Sequence, residues 1–166
     1  LILVTMMIPA QLIFLPVYLM FSKANLINTY WSLILPWASS AFGIFLLRQR
    51  FMQVPDEIIE AAVLDNTPTW KIIFKIMLPQ ARGTVITIAL LNFISTWNDY
   101  FWPLVMTSND DVRTLPLGVS MLKSTLDGIH WNTVMAGNVI LILPIVIIYI
   151  FAQREIIKAF TYSGIK

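Results

Sequence analysis

Between Asp56 and Lys75 the chain gathers four carboxylates, Asp56, Glu57, Glu60 and Asp65, followed by two lysines, Lys71 and Lys75, in a sequence with only 12% charged residues. Residues of these types can ligate a metal, exchange protons in catalysis, or meet a partner of opposite charge. His130 is the single histidine and cysteine is absent, which removes disulfides, thiolate nucleophiles and Cys/His metal sites. Ser39, Ser40 and Ser95 stand in apolar stretches with no histidine to activate them, so an intramembrane enzyme lacks its base. A second group, Asn92, Trp97, Asn98 and Asp99, interrupts a long apolar run. An ionisable residue at membrane depth is a candidate functional group. A tryptophan with polar neighbours also suits a sugar ring, which has an apolar face and a rim of hydroxyls. The alternative for the same residues is an interfacial position, with Asp99 hydrated and Trp97, Tyr100 and Trp102 forming an aromatic belt. What remains is recognition and passage, with no catalytic, cofactor or metal residues expected.

The elements that must hold these residues are those of an integral membrane protein. Of 166 residues 58% are hydrophobic, against about 25% charged residues in an ordinary soluble domain. A net charge of +2 gives no reason to expect nucleic acid as a partner. Four apolar stretches, at about 1–22, 28–47, 83–106 and 133–152, are expected to span the bilayer as helices. Pro9, Pro16, Pro36, Pro103 and Pro144 lie in or near them and predict kinks. Met6, Met7 and Gln11 of the first stretch can line a path, although methionine in an apolar helix more often serves packing. The chain starts "LILVTMMIPA", within an apolar run and without an initiator Met or basic leader, so it is expected to be a fragment lacking its N-terminal part.

Arg48, Arg50, Lys71, Lys75 and Arg82 fall between the second and third stretches, and Arg154, Lys158 and Lys166 follow the fourth. The positive-inside rule then puts residues 48–82 and the C-terminus in the cytoplasm. The segment 107–132, with Asp110, Asp111, Asp127, His130 and Trp131, falls outside. Arg48, Arg50, Arg154 and Lys158 are expected to anchor their helices at the interface.

Within the cytoplasmic segment, Pro55 and the early acids predict a helix to about Leu64, with Ile58, Ile59, Ala62 and Val63 in one stripe and the acids in another. Asn66 suits a left-handed turn, Thr67 a cap and Pro68 the opening of a second helix. That helix has Trp70, Ile73, Phe74 and Met77 on one face, and Pro79 is expected to end it. Such a helix-turn-helix can dock on a cytoplasmic partner or lie on the bilayer, where Lys71, Lys75 and Trp70 would be at home. An acidic first helix gains nothing from anionic lipid.

"EAAVLDNTPTWKIIFKIMLPQARG" resembles the EAA loop of the inner-membrane permease subunits of ATP-binding cassette importers, a pattern of E-A-A, then D-G, then an apolar stretch ending I-x-L-P. Glu60, Ala61, Ala62, Asp65, Ile76, Leu78 and Pro79 match it, and Asn66 stands where glycine is usual. "FISTWNDYFWPLVM", "TLPLGVSML" and the tail "AQREIIKAFTYSGIK" are similar to segments of the carbohydrate-uptake, maltose-type permeases. The resemblance implies an all-α polytopic bundle of the MetI-like type, with four of six transmembrane helices present, in a prokaryotic inner membrane. It implies that Ile58, Ile59, Glu60, Ala61, Ala62, Asp65 and Asn66 contact an ATPase subunit, while Asn92, Trp97, Asn98 and Asp99 are the candidate substrate path. The implied partners are ATPase subunits, a second permease subunit, an extracytoplasmic solute-binding protein, a sugar and the lipid bilayer. The chain itself has no G-x-x-x-x-G-K-[ST] phosphate loop, so ATP hydrolysis is expected in a separate subunit. Import of an amino acid or peptide, or gradient-driven secondary transport, are the alternatives. The latter calls for charge-relay residues in the spans, for which only Asp99 qualifies.

Overall fold

A computed structural model of the chain describes residues 2–123 and 129–161, so Asp127 of the expected outer segment and Lys166 of the tail lie outside the described residues, as do the side chains of Arg154 and Lys158. All regular structure among the described residues is helical. Helix α1 (Ile2–Thr5) and α2 (Ala10–Lys23) divide the first apolar stretch, because Pro9 is held at φ −58, ψ 132, outside the helical region, and caps α2. Helix α3 (Tyr30–Ile34) runs into a 3₁₀ turn at Leu35–Trp37, and α4 (Ala41–Phe51) follows with the Ser40 hydroxyl accepting from the Gly43 amide at 3.2 Å. Helix α5 is Asp56–Leu64 and α6 is Thr69–Gln80. Helix α7 (Arg82–Trp97) is parted from α8 (Phe101–Met106) at residues 98–100, and α9 (Leu115–Met121) precedes the long α10 (Trp131–Thr161).

Among the described residues, Trp131–Gln153 is the one unbroken helix long and apolar enough to cross a membrane. The pair Tyr30–Trp37 and Ala41–Phe51 meets the same test together with a bend of 41°, and α6 with α7 does so with a bend of 80°. Helix α2 is apolar but shorter. The expected stretches 1–22, 28–47 and 83–106 are thus helical with breaks, at Pro9, at 38–40 and at 98–100, rather than continuous rods.

The bundle is organised around α7, which packs along α10 on one side and α4 on another, while α9 packs on α10 and α3 on α8. Two glycines permit the close approaches. A Cβ on Gly43 of α4 would stand 3.0 Å from Ile88 Cγ2 of α7, and one on Gly137 of α10 would stand 2.9 Å from Val119 Cγ2 of α9. The fully buried side chains Met106, Leu117 and Val134 lie at the end of the bundle formed by α8, α9 and the start of α10. There Asn28 joins the elements: its backbone N–H donates to the Met106 carbonyl at 3.0 Å and its side-chain oxygen accepts from the amides of Ser108 and Asn109. Between Val139 and Ile150 the exposed side chains of α10 are Val, Ile and Leu apart from Tyr149, as suits a helix facing hydrocarbon.

Candidate functional site

The segment between α4 and α7 is a closed loop. Arg50, in the last turn of α4, donates from Nε and Nη2 to the Gln80 carbonyl at 3.4 and 3.3 Å, and from Nη1 to Gln53 Oε1 at 2.7 Å. Its planar fork ties the two ends of the loop together. The sequence offered this arginine only as an interfacial anchor; the structure adds the clasp, which is compatible with that position.

Helix α5 starts with Asp56 and Glu57 at its positive end, where a carboxylate is favoured. It ends in a hydrogen-bonded turn that explains Asn66. The Asn66 amide donates to the Val63 carbonyl at 2.9 Å and the Thr67 amide to the Ala62 carbonyl at 3.0 Å, with Asn66 at φ 52. That is a Schellman ending with asparagine in the left-handed position that glycine most often takes. Asn25 does the same after α2, at φ 54. Thr67 therefore spends its amide on closing α5 and makes no side-chain cap for α6, whose N-cap is Pro68. Pro79 does not end α6 either. It lies within the final turn, Leu78–Gln80, after a π-helical stretch at Ile72–Met77. A proline ring clashes with the carbonyl four residues earlier, and the wider turn makes room for it.

The expected apolar stripe of α5 divides. Ala62 is buried at 7% exposure and Ile59 is half-buried, but Ile58 and Val63 are exposed. The outward face carries Glu57, Glu60, Ala61 and Leu64, the last 82% exposed. Leu64 was absent from the sequence-derived contact set because it falls off the Ile58/Ile59 stripe. The signal that could have found it is its spacing: it lies four residues after Glu60 and three after Ala61, hence beside both on a helix. The outward face of α5 is thus a small acidic patch with one protruding apolar side chain, able to seat in a cleft with basic rims.

The second candidate group is not brought together. Trp97 stacks on Phe93 with centroids 5.3 Å apart and donates from its indole to the Leu141 carbonyl at 3.0 Å, which fastens α7 to α10. Asn98 is exposed and donates to the Ile94 carbonyl of its own helix at 2.7 Å. Asp99 instead faces a cavity of about 370 Å³ between α2, the 3₁₀ turn and α8, lined also by Gln11, Phe14, Trp37, Phe101 and Trp102. Asn92 lines a neighbouring cavity of about 340 Å³ with Ser39, Ser40 and Ser95, and Trp37 borders both.

The walls of the Asp99 cavity are fixed in place. Trp102 donates from its indole to the carbonyl of buried Ser32 at 2.9 Å, and its ring meets Phe14 edge-on at 5.6 Å and Trp37 at 6.5 Å. The Asp99 carboxylate accepts from the Trp102 amide at 3.3 Å, which leaves it capacity for further donors. A carboxylate and an amide among aromatic faces can hold a polyhydroxylated ring, accepting from its hydroxyls while the rings cover its C–H face. Phe14, Trp37 and Trp102 were not in the sequence-derived path, because their meeting depends on three elements far apart in the chain. Among the described residues no group of three or more His, Cys, Asp or Glu could hold a metal ion.

Residues 1–161 match the model of the family described as binding-protein-dependent transport system inner membrane component. Among curated proteins, the chain is 37% identical over 166 residues to the arabinooligosaccharides transport system permease protein AraQ of Halalkalibacterium halodurans, a match covering 100% of this chain and 59% of that protein. It is 34% identical over 157 residues to the lactose transport system permease protein LacG of Rhizobium radiobacter, covering 95% and 57%. It is 32% identical over 164 residues to the sn-glycerol-3-phosphate transport system permease protein UgpE of Yersinia pestis, covering 98% and 58%. The chain therefore spans somewhat less than three fifths of the length of these relatives.

Proposed function

The chain belongs to the family of binding-protein-dependent transport system inner membrane components, and from that premise we propose that it is the permease subunit of an ATP-driven importer for a sugar or oligosaccharide. The observation that carries the coupling part is the outward face of α5, where Glu57, Glu60, Ala61 and Leu64 project from a loop clasped shut by Arg50. A separate ATPase subunit seats this face in a cleft. Leu64 and Ile58 supply apolar contact, Glu60 and Asp65 accept from basic groups or backbone amides, and Ala61 permits close approach. Asn66 holds the turn that orients the helix.

Force then has a defined route. Because Arg50 of α4 holds the Gln80 carbonyl just before α7, a displacement of α5 moves the cytoplasmic ends of both helices. Helix α7 carries Asn92 and leads to Asp99, so motion at the loop alters the two cavities that share Trp37. The solute is delivered by an extracytoplasmic binding protein and passes between this subunit and a second permease subunit, with Asp99 and Gln11 meeting its hydroxyls. The loop 48–82 and the C-terminus lie in the cytoplasm, on the side with the larger share of Lys and Arg. Support for carbohydrate comes from the names of the relatives, two of which carry oligosaccharides or lactose.

The test is uptake of labelled solutes into proteoliposomes of the assembled complex, loaded with ATP and free of ion gradients. Sugars should enter only with ATP inside and binding protein outside. Uptake of amino acids or peptides alone would replace the solute class. Entry driven by a gradient without ATP would overturn the importer assignment.

A further inference from the structure

The two helices of the clasped loop differ in charge and in orientation. Helix α5 carries Asp56, Glu57 and Glu60 and no Lys or Arg, whereas α6 carries Lys71 and Lys75 and no acid. Helix α6 meets α7 at 80°, so when α7 stands in the membrane α6 runs along its surface. On α6 the large apolar side chains face outward: Trp70 is 57% and Phe74 62% exposed, with Ile73 beside them. The Lys71 ammonium sits 5.5 Å from the centre of the Trp70 ring. Further along, Met77 lines a cleft of about 380 Å³ with Ile44, Leu47, Arg48 and Phe51 of α4, so α6 ends against the apolar flank of a membrane-embedded helix, where the charged residue is again a cation.

We propose that α6 is an interfacial helix that inserts Trp70 and Phe74 into the cytoplasmic leaflet and pairs Lys71 and Lys75 with anionic phospholipid headgroups. A helix lying in the plane of a bilayer, with aromatic residues on one face and lysines beside them, binds through buried apolar area plus attraction to anionic lipid. The cytoplasmic leaflet is the negative one, which matches α6 and opposes α5. The loop then has two sides of opposite chemistry: α6 is held by lipid, leaving acidic α5 to project away from it. The lipid contact is independent of which solute is carried.

These 166 residues hold no cysteine, so Phe74→Cys places one thiol among them for a nitroxide label, with Trp70→Cys as a second site should the first fail to assemble. The full-length permease, with every other cysteine of it and of its partners replaced by serine, is reconstituted in vesicles of phosphatidylcholine with roughly a third of anionic phosphatidylglycerol, which gives a negative surface. The label should collide with oxygen several-fold more readily than with a water-soluble nickel chelate, and Lys71→Glu with Lys75→Glu should reverse that preference. Preferential access to the nickel chelate in the unaltered background would mean that α6 lies in water. Inaccessibility to both reagents would mean that a protein surface covers it. Either result overturns the proposal, and neither bears on ATP-driven uptake.

Discussion

Asp99 illustrates how far a single residue can be understood from its type and position. A carboxylate in an apolar run was the one ionisable candidate for the path, and it does face a cavity, with the Trp102 amide on one oxygen. Replacing it by asparagine keeps the shape and an acceptor for that amide but removes the charge. Hydrogen bonds to charged groups contribute about 1.5–3 kcal/mol, so Asp99→Asn should raise the KM for solute uptake by about tenfold or more with assembly unchanged, as checked by size-exclusion profile and uptake kinetics. An unaltered KM would remove Asp99 from the path. Trp97 was equally legible as a functional type, yet its indole is spent on the Leu141 carbonyl. Sequence alone cannot tell a tryptophan that faces a ligand from one that fastens two helices, since the partner carbonyl is 44 positions away. The aromatic wall of Phe14, Trp37 and Trp102 was hidden for the same reason.

At the scale of elements, local chemistry was the legible part. The Asp-Asn-Thr-Pro stop predicted a left-handed residue and a restart, and Asn66 adopts φ 52 with both Schellman hydrogen bonds made. Helix continuity was less legible. Hydropathy averaged over a span does not register where a backbone turns: the breaks at Pro9, at Ala38-Ser39-Ser40 and at Asn98-Asp99-Tyr100 fall inside stretches that are apolar only on average. Proline gives notice of the first, but Pro16 and Pro144 stay inside helices, so residue type alone does not decide. Packing against neighbours does, as Gly137 makes plain. Its missing Cβ would lie 2.9 and 3.2 Å from the two Val119 methyls, so Gly137→Ala forces α10 away from α9. Overpacking of this kind costs about 1–3 kcal/mol. Gly137→Ala should lower the thermal stability of the detergent-solubilised protein, and Val119→Ala added to it should restore most of the loss. Independent, additive losses would mean that the two helices do not meet at this contact.

For the whole molecule, charge distribution and the clasped loop carry the proposed direction of action. Five Lys and Arg residues in the segment 48–82 are the basis for placing it in the cytoplasm, Arg50 clasps that segment, and α5 presents exposed acidic side chains from it. The family was legible because the loop motif is local and its residues are contiguous; the proposed route from loop to cavity was not, because it depends on α4 and α7 lying side by side, where Gly43 comes close to Ile88. The central claim is that α5 receives force from a separate ATPase, and Glu60→Lys tests it most directly, since it reverses charge at the middle of the outward face without disturbing buried Ala62. The measurement is solute-stimulated ATP hydrolysis by the reconstituted complex, with co-purification of the ATPase subunit and membrane insertion followed on the same samples. Loss of stimulation and of co-purification with normal insertion is the expected result. Unchanged stimulation and co-purification would contradict the assignment of α5 as the coupling helix.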